Sequence, residues 1–345
     1  MKKKKLIAIT LFVLLLSTTL LFGCTPDKEE KKETAPEPEK KAAQEVTLNE
    51  VAHSIFYAPM YVAIENGYFK EEGLDISLVT GYGADKTMTA VLSGEADIGF
   101  MGPETTVYTY NEGANDLVVN FAQLTQRAGN FIVAREAVED FKWEQLKDSY
   151  VYGGRAGGMP QMVFEYVLKK NNINPAADLT IDQSIDFGST AAAFSSSEEA
   201  DYTVEFEPGA TMLEQQKSGY VVASLGVESG YVPYTAFSAK ESFIEENPEV
   251  IQSFTNALQK GMDYVNEHSA EEIAAVIAPQ FPETDDETIS TIVERYAKQD
   301  TWNTDLVFTE ESYDLLLDIL SEAGELSDSP EYEKLVNTEF ATTAK

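Results

Sequence analysis

Leu92-Ser-Gly-Glu-Ala-Asp-Ile-Gly-Phe-Met-Gly-Pro-Glu104, with its upstream partner Glu65-Asn-Gly-Tyr-Phe-Lys-Glu-Glu-Gly-Leu-Asp75, decides the fold. Met60 to Ile64 is apolar at helical spacing, and Gly67 suits the left-handed position that ends a helix. Tyr68 and Phe69 can then fold back onto that end. Asp75 to Thr80 alternates like a half-buried strand. Ala84 to Leu92 reads as a second helix, stopped by Ser93-Gly94. Asp97 to Met101 is a short apolar strand, and Gly102-Pro103 opens the next helix. Alternating helices and strands predict a parallel sheet, with a ligand beyond the carboxyl ends of its strands.

Two phrases carry a resemblance: Gly67-Tyr-Phe-Lys-Glu-Glu-Gly-Leu-Asp75 and Leu92-Ser-Gly-Glu-Ala-Asp-Ile-Gly-Phe100. In wording, order and spacing they resemble the solute-binding proteins of ABC importers that take thiamine-pyrimidine precursors, alkanesulfonates, taurine and nitrate. Weaker echoes extend it over roughly 46–330. The resemblance implies an α/β, two-lobed type II periplasmic-binding-protein fold with two hinge crossings and a helical C-terminal part. It also implies a small-molecule ligand, an ABC permease with its ATPase as partners, and no cofactor.

The chain outward from this stretch divides into four parts. Lys2–Lys5 followed by apolar Leu6–Phe22 and then Gly23-Cys24 resembles a lipoprotein signal, cut before Cys24 with lipid on its thiol. Phe22 departs from the small residue usual there. Residues 24–44, rich in Lys, Glu, Pro and Ala, have too few apolar side chains for a core and read as a tether. Lobe one is expected at 45–127 plus 237–345, and lobe two at 128–236. Strands are expected at Glu45–Val51, Leu117–Ala122, Phe131–Ala134, Tyr150–Tyr152, Ala200–Glu205 and Tyr220–Ser224. Gln123–Asn130 and Gly230–Pro233 read as the crossings. Helices are expected at Gln161–Lys170 and, beyond Phe243, at 248–267, 270–278, 285–298 and 310–322.

A net charge of −34 argues against nucleic acid as a partner, since phosphate recognition needs Lys and Arg. The single cysteine excludes internal disulfides and cysteine-based zinc clusters. With two histidines, no metal-binding pair stands at a useful spacing. A monomer, lipid-anchored on the extracytoplasmic face of the membrane, is the expectation.

Candidate ligand contacts come from the strand-end loops. His53, Phe56 and Tyr57 follow the first strand, and Tyr82 follows the second. Gly102, Glu104 and Thr105 open the helix after the third. Arg127 stands at the first crossing and Arg155 in Gly153-Gly-Arg-Ala-Gly-Gly158, where either could clamp an anion or bridge the lobes. This glycine loop, including Gly157, fits no nucleotide motif. It reads either as a turn or as a set of backbone N–H groups facing a polar ligand group. Ser189, Thr190, Glu205, Phe206 and Glu207 complete the second wall. Tyr61, at helical spacing, reads as core. Aromatic rings could sandwich a planar ring, and converging carboxylates would suit an amino or amidine group. Together they favour a nitrogenous heterocycle such as a thiamine pyrimidine precursor. A sulfonate, taurine or nitrate, or a sensor lipoprotein role, is the alternative.

An enzyme is not expected. The fungal thiamine-pyrimidine synthases, which this chain resembles in its first half, use a lysine for pyridoxal phosphate, a reactant histidine and a cysteine-rich iron motif. Aligned on Asp97-Ile-Gly99, the lysine position falls on Met101 and the histidine position on Thr105; the chain's one cysteine is Cys24.

Overall fold

The structure, a computed structural model, describes residues 43–185 and 188–345. The signal segment, Cys24, nearly all of the tether and Phe187 lie outside the described residues.

Among the described residues, ten strands form two five-stranded sheets. In chain order they are β1 (Gln44–Glu50), β2 (Leu74–Thr80), β3 (Ile98–Met101), β4 (Val118–Thr125), β5 (Phe131–Ala134), β6 (Tyr150–Tyr152), β7 (Thr180–Asp182), β8 (Tyr202–Glu205), β9 (Tyr220–Ser224) and β10 (Thr235–Lys240). The first sheet runs β2-β1-β3-β10-β4 and the second β7-β6-β8-β5-β9. β1 pairs in parallel with β2 and β3, whereas β10 runs antiparallel to β3 and β4. β6 pairs in parallel with β7 and β8, and β5 runs antiparallel to β8 and β9. The two sheets share one plan. In each, the antiparallel strand is the one that has just arrived from the other sheet. The parallel sheet expected of the central stretch forms among β1, β2 and β3, and the strands arriving after each crossing add the antiparallel pairs.

The central stretch folds much as its residues dictate. Gly67 takes φ 76° and Gly94 takes φ 80°, left-handed values at helix ends that a Cβ disfavours. Tyr68 to Glu71 makes its own short helix rather than an arm folded back, and sinks Phe69 against Phe254, with ring centroids 5.0 Å apart. The helix Pro248–Glu267 presents Val250, Ile251, Phe254, Leu258, Met262 and Val265 on one buried stripe, at the three-and-four spacing of an amphipathic helix. Gly261 on that stripe admits the Pro59 carbonyl so closely that an added Cβ would meet it at 2.2 Å. Phe100 and Phe237 stack at 4.2 Å in the core of the first sheet.

The remaining differences are local. β1 starts at Gln44, one residue into the expected tether, and β4 continues to Thr125, so the first crossing begins at Gln126. β7 and β10 were not expected. β7 has three residues, and in Thr235-Ala-Phe-Ser-Ala-Lys240 only Thr235 is β-branched. The C-terminal helices form at Ala270–Ile277, Asp286–Lys298 and Glu310–Ala323.

Candidate functional site

The loops at the carboxyl ends of the strands of both sheets enclose two adjoining chambers, of about 410 and 510 Å³. Tyr57, Arg155, Pro160 and Phe206 line both and form the waist between them. Volumes of this size are ordinary for small-molecule sites.

The loop after β1 supplies one wall. Ser54 caps a turn of 3-10 helix through Phe56 N–H, at 3.3 Å, and its own hydroxyl donates to the Glu207 carbonyl at 3.3 Å. This turn presents Tyr57 at the waist, edge-on to Phe100 at 4.5 Å. Phe56 points the other way. It is fully buried among Tyr234, Tyr296 and Phe206, behind the wall rather than on it. His53 lines the smaller chamber, with Nδ1 2.8 Å from Glu50 and Nε2 2.8 Å from the Gln280 carbonyl. Tyr61 is core, as expected, and its hydroxyl donates to Glu50 at 2.6 Å.

The larger chamber holds Tyr82 at its rim, 67% exposed and at φ 56°, and Glu104 deep in its wall at 2% exposure. The Glu104 carboxylate folds over Gly102, whose missing Cβ makes the room; a methyl there would meet Oε2 at 2.1 Å. Burial pushes the Glu104 pKa up to about 7, against its own and Met159's backbone N–H groups and the charge of Arg155. Thr105 does not reach the chamber. It is buried, and its hydroxyl donates to the Gly102 carbonyl at 2.8 Å, bracing the turn.

The second sheet supplies the opposite wall. Arg155 pairs with Asp85 at 3.1 Å, each side chain about half exposed. Of the two functions the sequence allowed it, the bridge between the walls is the one the structure forms. Gly157 lies off both chambers: its N–H donates to Gln161 at 3.0 Å and its carbonyl accepts from Tyr108 at 3.1 Å. Gly153 and Gly158 likewise donate to Asp182 and Arg155 carbonyls. These three amides are used within the chain, as in a turn, while Gly153, Gly154 and Arg155 line the smaller chamber. Arg127 stays at the crossing, donating to the Gly226 carbonyl at 3.0 Å and lying 4.2 Å over the Tyr231 ring.

Ser189 lines the larger chamber, and Thr190 and Glu205 the smaller. The buried Glu205 carboxylate accepts from Thr203 at 2.6 Å and Thr190 at 3.0 Å. Burial carries its pKa to about 7 in spite of these hydroxyls, with the nearby Glu207 charge adding to the rise. Glu207 borders the same chamber, but its carboxylate is turned to other work. It accepts from Thr211 N–H at 2.9 Å, from the Thr211 hydroxyl at 3.0 Å and from Arg295, tying the helix Gly209–Gln215 to Asp286–Lys298.

Sequence reasoning missed Asn130 and Tyr234. Asn130 lines the smaller chamber and Tyr234 the larger, and the Tyr234 hydroxyl donates to Asn130 Oδ1 at 2.8 Å. Each ends a crossing, so the signal was available. Where two chain segments pass between two sheets, they must floor the space between them.

A family model described as NMT1/THI5 like matches residues 55–272. YtlA of Bacillus subtilis (strain 168), a binding protein by its name, is 47% identical over 303 residues, covering 88% of this chain and 90% of its own. The formylaminopyrimidine-binding protein of Halalkalibacterium halodurans is 25% identical over 308 residues, covering 86% of this chain and 87% of its own. The ligand-binding component of an ABC-type import system from Staphylococcus aureus, solved with zinc bound, superposes with a TM-score of 0.70 at 15% identity, over 88% of this chain and 99% of that one. The architecture is the type II periplasmic-binding-protein fold.

Proposed function

The chain belongs to the NMT1/THI5-like family, and on that premise we propose that it is the solute-binding component of an ABC importer, carrying a planar nitrogenous heterocycle such as a thiamine pyrimidine precursor to its permease. One observation carries the ligand class. Two buried carboxylates, Glu104 and Glu205, border an aromatic cleft in which each cation on the described walls already has an acceptor in the chain. Arg155 has Asp85, His53 has Glu50, and Lys86 has the Tyr82 carbonyl. Amino and amidine groups would find acceptors in the Glu104 and Glu205 carboxyls, which offer nothing to a nitrate or sulfonate. The formylaminopyrimidine-binding relative supports the same class.

The two sheets are the cores of two lobes, 45–127 plus 237–345 and 128–236, that close on a ligand touching both walls. A lipid on Cys24 and the tether hold a monomer at the extracytoplasmic membrane face. Catalysis is not part of the function: Met101 and Thr105, at the positions of the synthase lysine and histidine, offer neither an amine nor an imidazole.

A thermal-shift panel of aminopyrimidines, riboflavin, taurine, alkanesulfonates and nitrate tests the ligand class. Binding at a hundredfold excess over Kd stabilises by about 2.7 kcal/mol. A shift with taurine, a sulfonate or nitrate and none with any heterocycle would reject it. Fatty-acid labelling that marks the wild type and Cys24→Ala equally would reject the anchor.

A further inference from the structure

The smaller chamber runs on from the waist between two helices, Thr190–Ser196 and Gly209–Gln215. Their first turns meet: a Cβ added at Gly209 would lie 3.3 Å from the Ala191 Cβ and 3.1 Å from Glu205 Oε2. One turn further on the chamber lies between them, lined by Ala192 and Ser195 on one side and by Met212 and Gln216 on the other. Each pair shares one face of its helix, at three-and-four spacing. Met212 is 46% exposed, a large apolar side chain left uncovered beside a cavity. Little polar capacity remains there. The Ser195 hydroxyl donates to the Ala192 carbonyl at 3.2 Å. Of the charged side chains that line this chamber, His53, Arg155 and Glu207 have partners in the chain. The fourth, Glu205, sits at the joined first turns and precedes the waist ring Phe206.

We propose that the smaller chamber is a subsite for an uncharged, apolar substituent of the ligand, an alkyl or aryl arm that leaves the ring at the waist and lies between these two helices. This rests on the heterocycle reading above and adds the arm. Each chamber alone has the volume of an ordinary small-molecule site, so a single ring fills one and leaves the other open to solvent. An apolar arm takes the surface of Met212 and the alanines out of water. The unbranched thioether of Met212 adapts to arms of different outline, so the subsite selects apolar bulk rather than one exact shape. A charged or hydroxylated arm would give up its hydration beside these side chains without a matching hydrogen bond.

Calorimetric titration with three probes tests this: a bare aminopyrimidine, the same ring with a butyl arm, and the same ring with a hydroxypropyl arm of equal length. Wild type should bind the butyl probe at least about tenfold more tightly than either of the others, as expected for several buried methylenes. Ala192→Phe puts a ring into the arm's space from an exposed helix position, and the ratio of butyl to bare affinity should fall to about one. Met212→Glu, also at an exposed position, is the independent check. It sets a charge beside the arm, and the butyl advantage should again be lost. Equal binding of the bare and butyl probes by wild type, a hydroxypropyl probe bound as tightly as the butyl one, or an unchanged ratio in either folded variant would overturn the apolar subsite while the heterocycle class stands. Failure of all three probes to bind wild type would overturn the class itself and this inference with it.

Discussion

His53 Nε2 lies 2.8 Å from the carbonyl oxygen of Gln280, 227 positions further along the chain. Nδ1 of the same ring lies 2.8 Å from Oε1 of fully buried Glu50. A carbonyl and a carboxylate both accept, so each ring nitrogen has an acceptor within reach and the arrangement favours the protonated imidazole. The Glu50 hydrogen bond leads in raising the His53 pKa above 6.5, against burial. A histidine with a raised folded pKa contributes stability that is complete below its unfolded value, about 6.5, and is lost as pH rises through the folded one. Melts of His53→Gln against wild type should differ most below about pH 6 and converge as pH rises through the raised folded-state pKa. A gap that does not change with pH would show that the charge is irrelevant.

Glu104 carries the opposite cost. An acid raised to about 7 from an ordinary value of 4.5 binds more protons folded than unfolded, so stability falls as pH climbs through that window. Glu104→Gln removes this penalty. The ligand-free variant should be more stable than wild type at about pH 8, by roughly 1–3 kcal/mol, and indistinguishable at about pH 4. Denaturant titrations at both pH values measure it. Destabilisation at the higher pH would mean that the carboxylate is structurally paired.

Glu207→Gln should act on the fold. Its carboxylate meets Arg295, whose side chain is 23% exposed, and Arg295 also reaches Glu214 at 2.6 Å. Breaking one side of a largely buried pair costs roughly 2–4 kcal/mol. Combining Glu207→Gln with Arg295→Met should cost less than the two single changes added together. Strict additivity in the cycle would show that the pair does not interact.

Gly261→Ala should lose about 1–3 kcal/mol. Its Cβ would meet the Pro59 carbonyl, which is backbone and cannot rotate away. An unaltered denaturation midpoint would mean that the two helices separate without cost.

The sequence made the architecture readable because its signals were local. Gly67, Gly94 and Gly102-Pro103 punctuate elements through backbone conformation alone, and the stripe on 248–267 is a simple periodicity. Strand-end logic likewise placed Tyr57, Tyr82, Glu104, Arg155, Ser189, Thr190, Glu205, Phe206 and His53 around the chambers. What it could not give is side-chain direction. Phe56 and Tyr57 are neighbours on one turn, yet one faces core and the other cavity. Glu205 and Glu207 look alike in sequence, but Arg295, far along the chain, claims the second. Arg127 was claimed by the Gly226 carbonyl, 99 residues on, and Gly157 by Tyr108, 49 residues back. Such choices depend on contacts distant in sequence, and local residue preferences do not encode them.

Because β10 lies between β3 and β4, a ribosome that has released only the residues up to Thr125 has made a first sheet with a rung missing. Phe100 has no Phe237 to stack on until the whole second sheet has been synthesised. Pairing across such sequence separations is slow, since a long loop must close before its contacts form. The first sheet therefore closes late, after the second sheet, contiguous in the chain from β5 to β9, has already been made and β10 has returned.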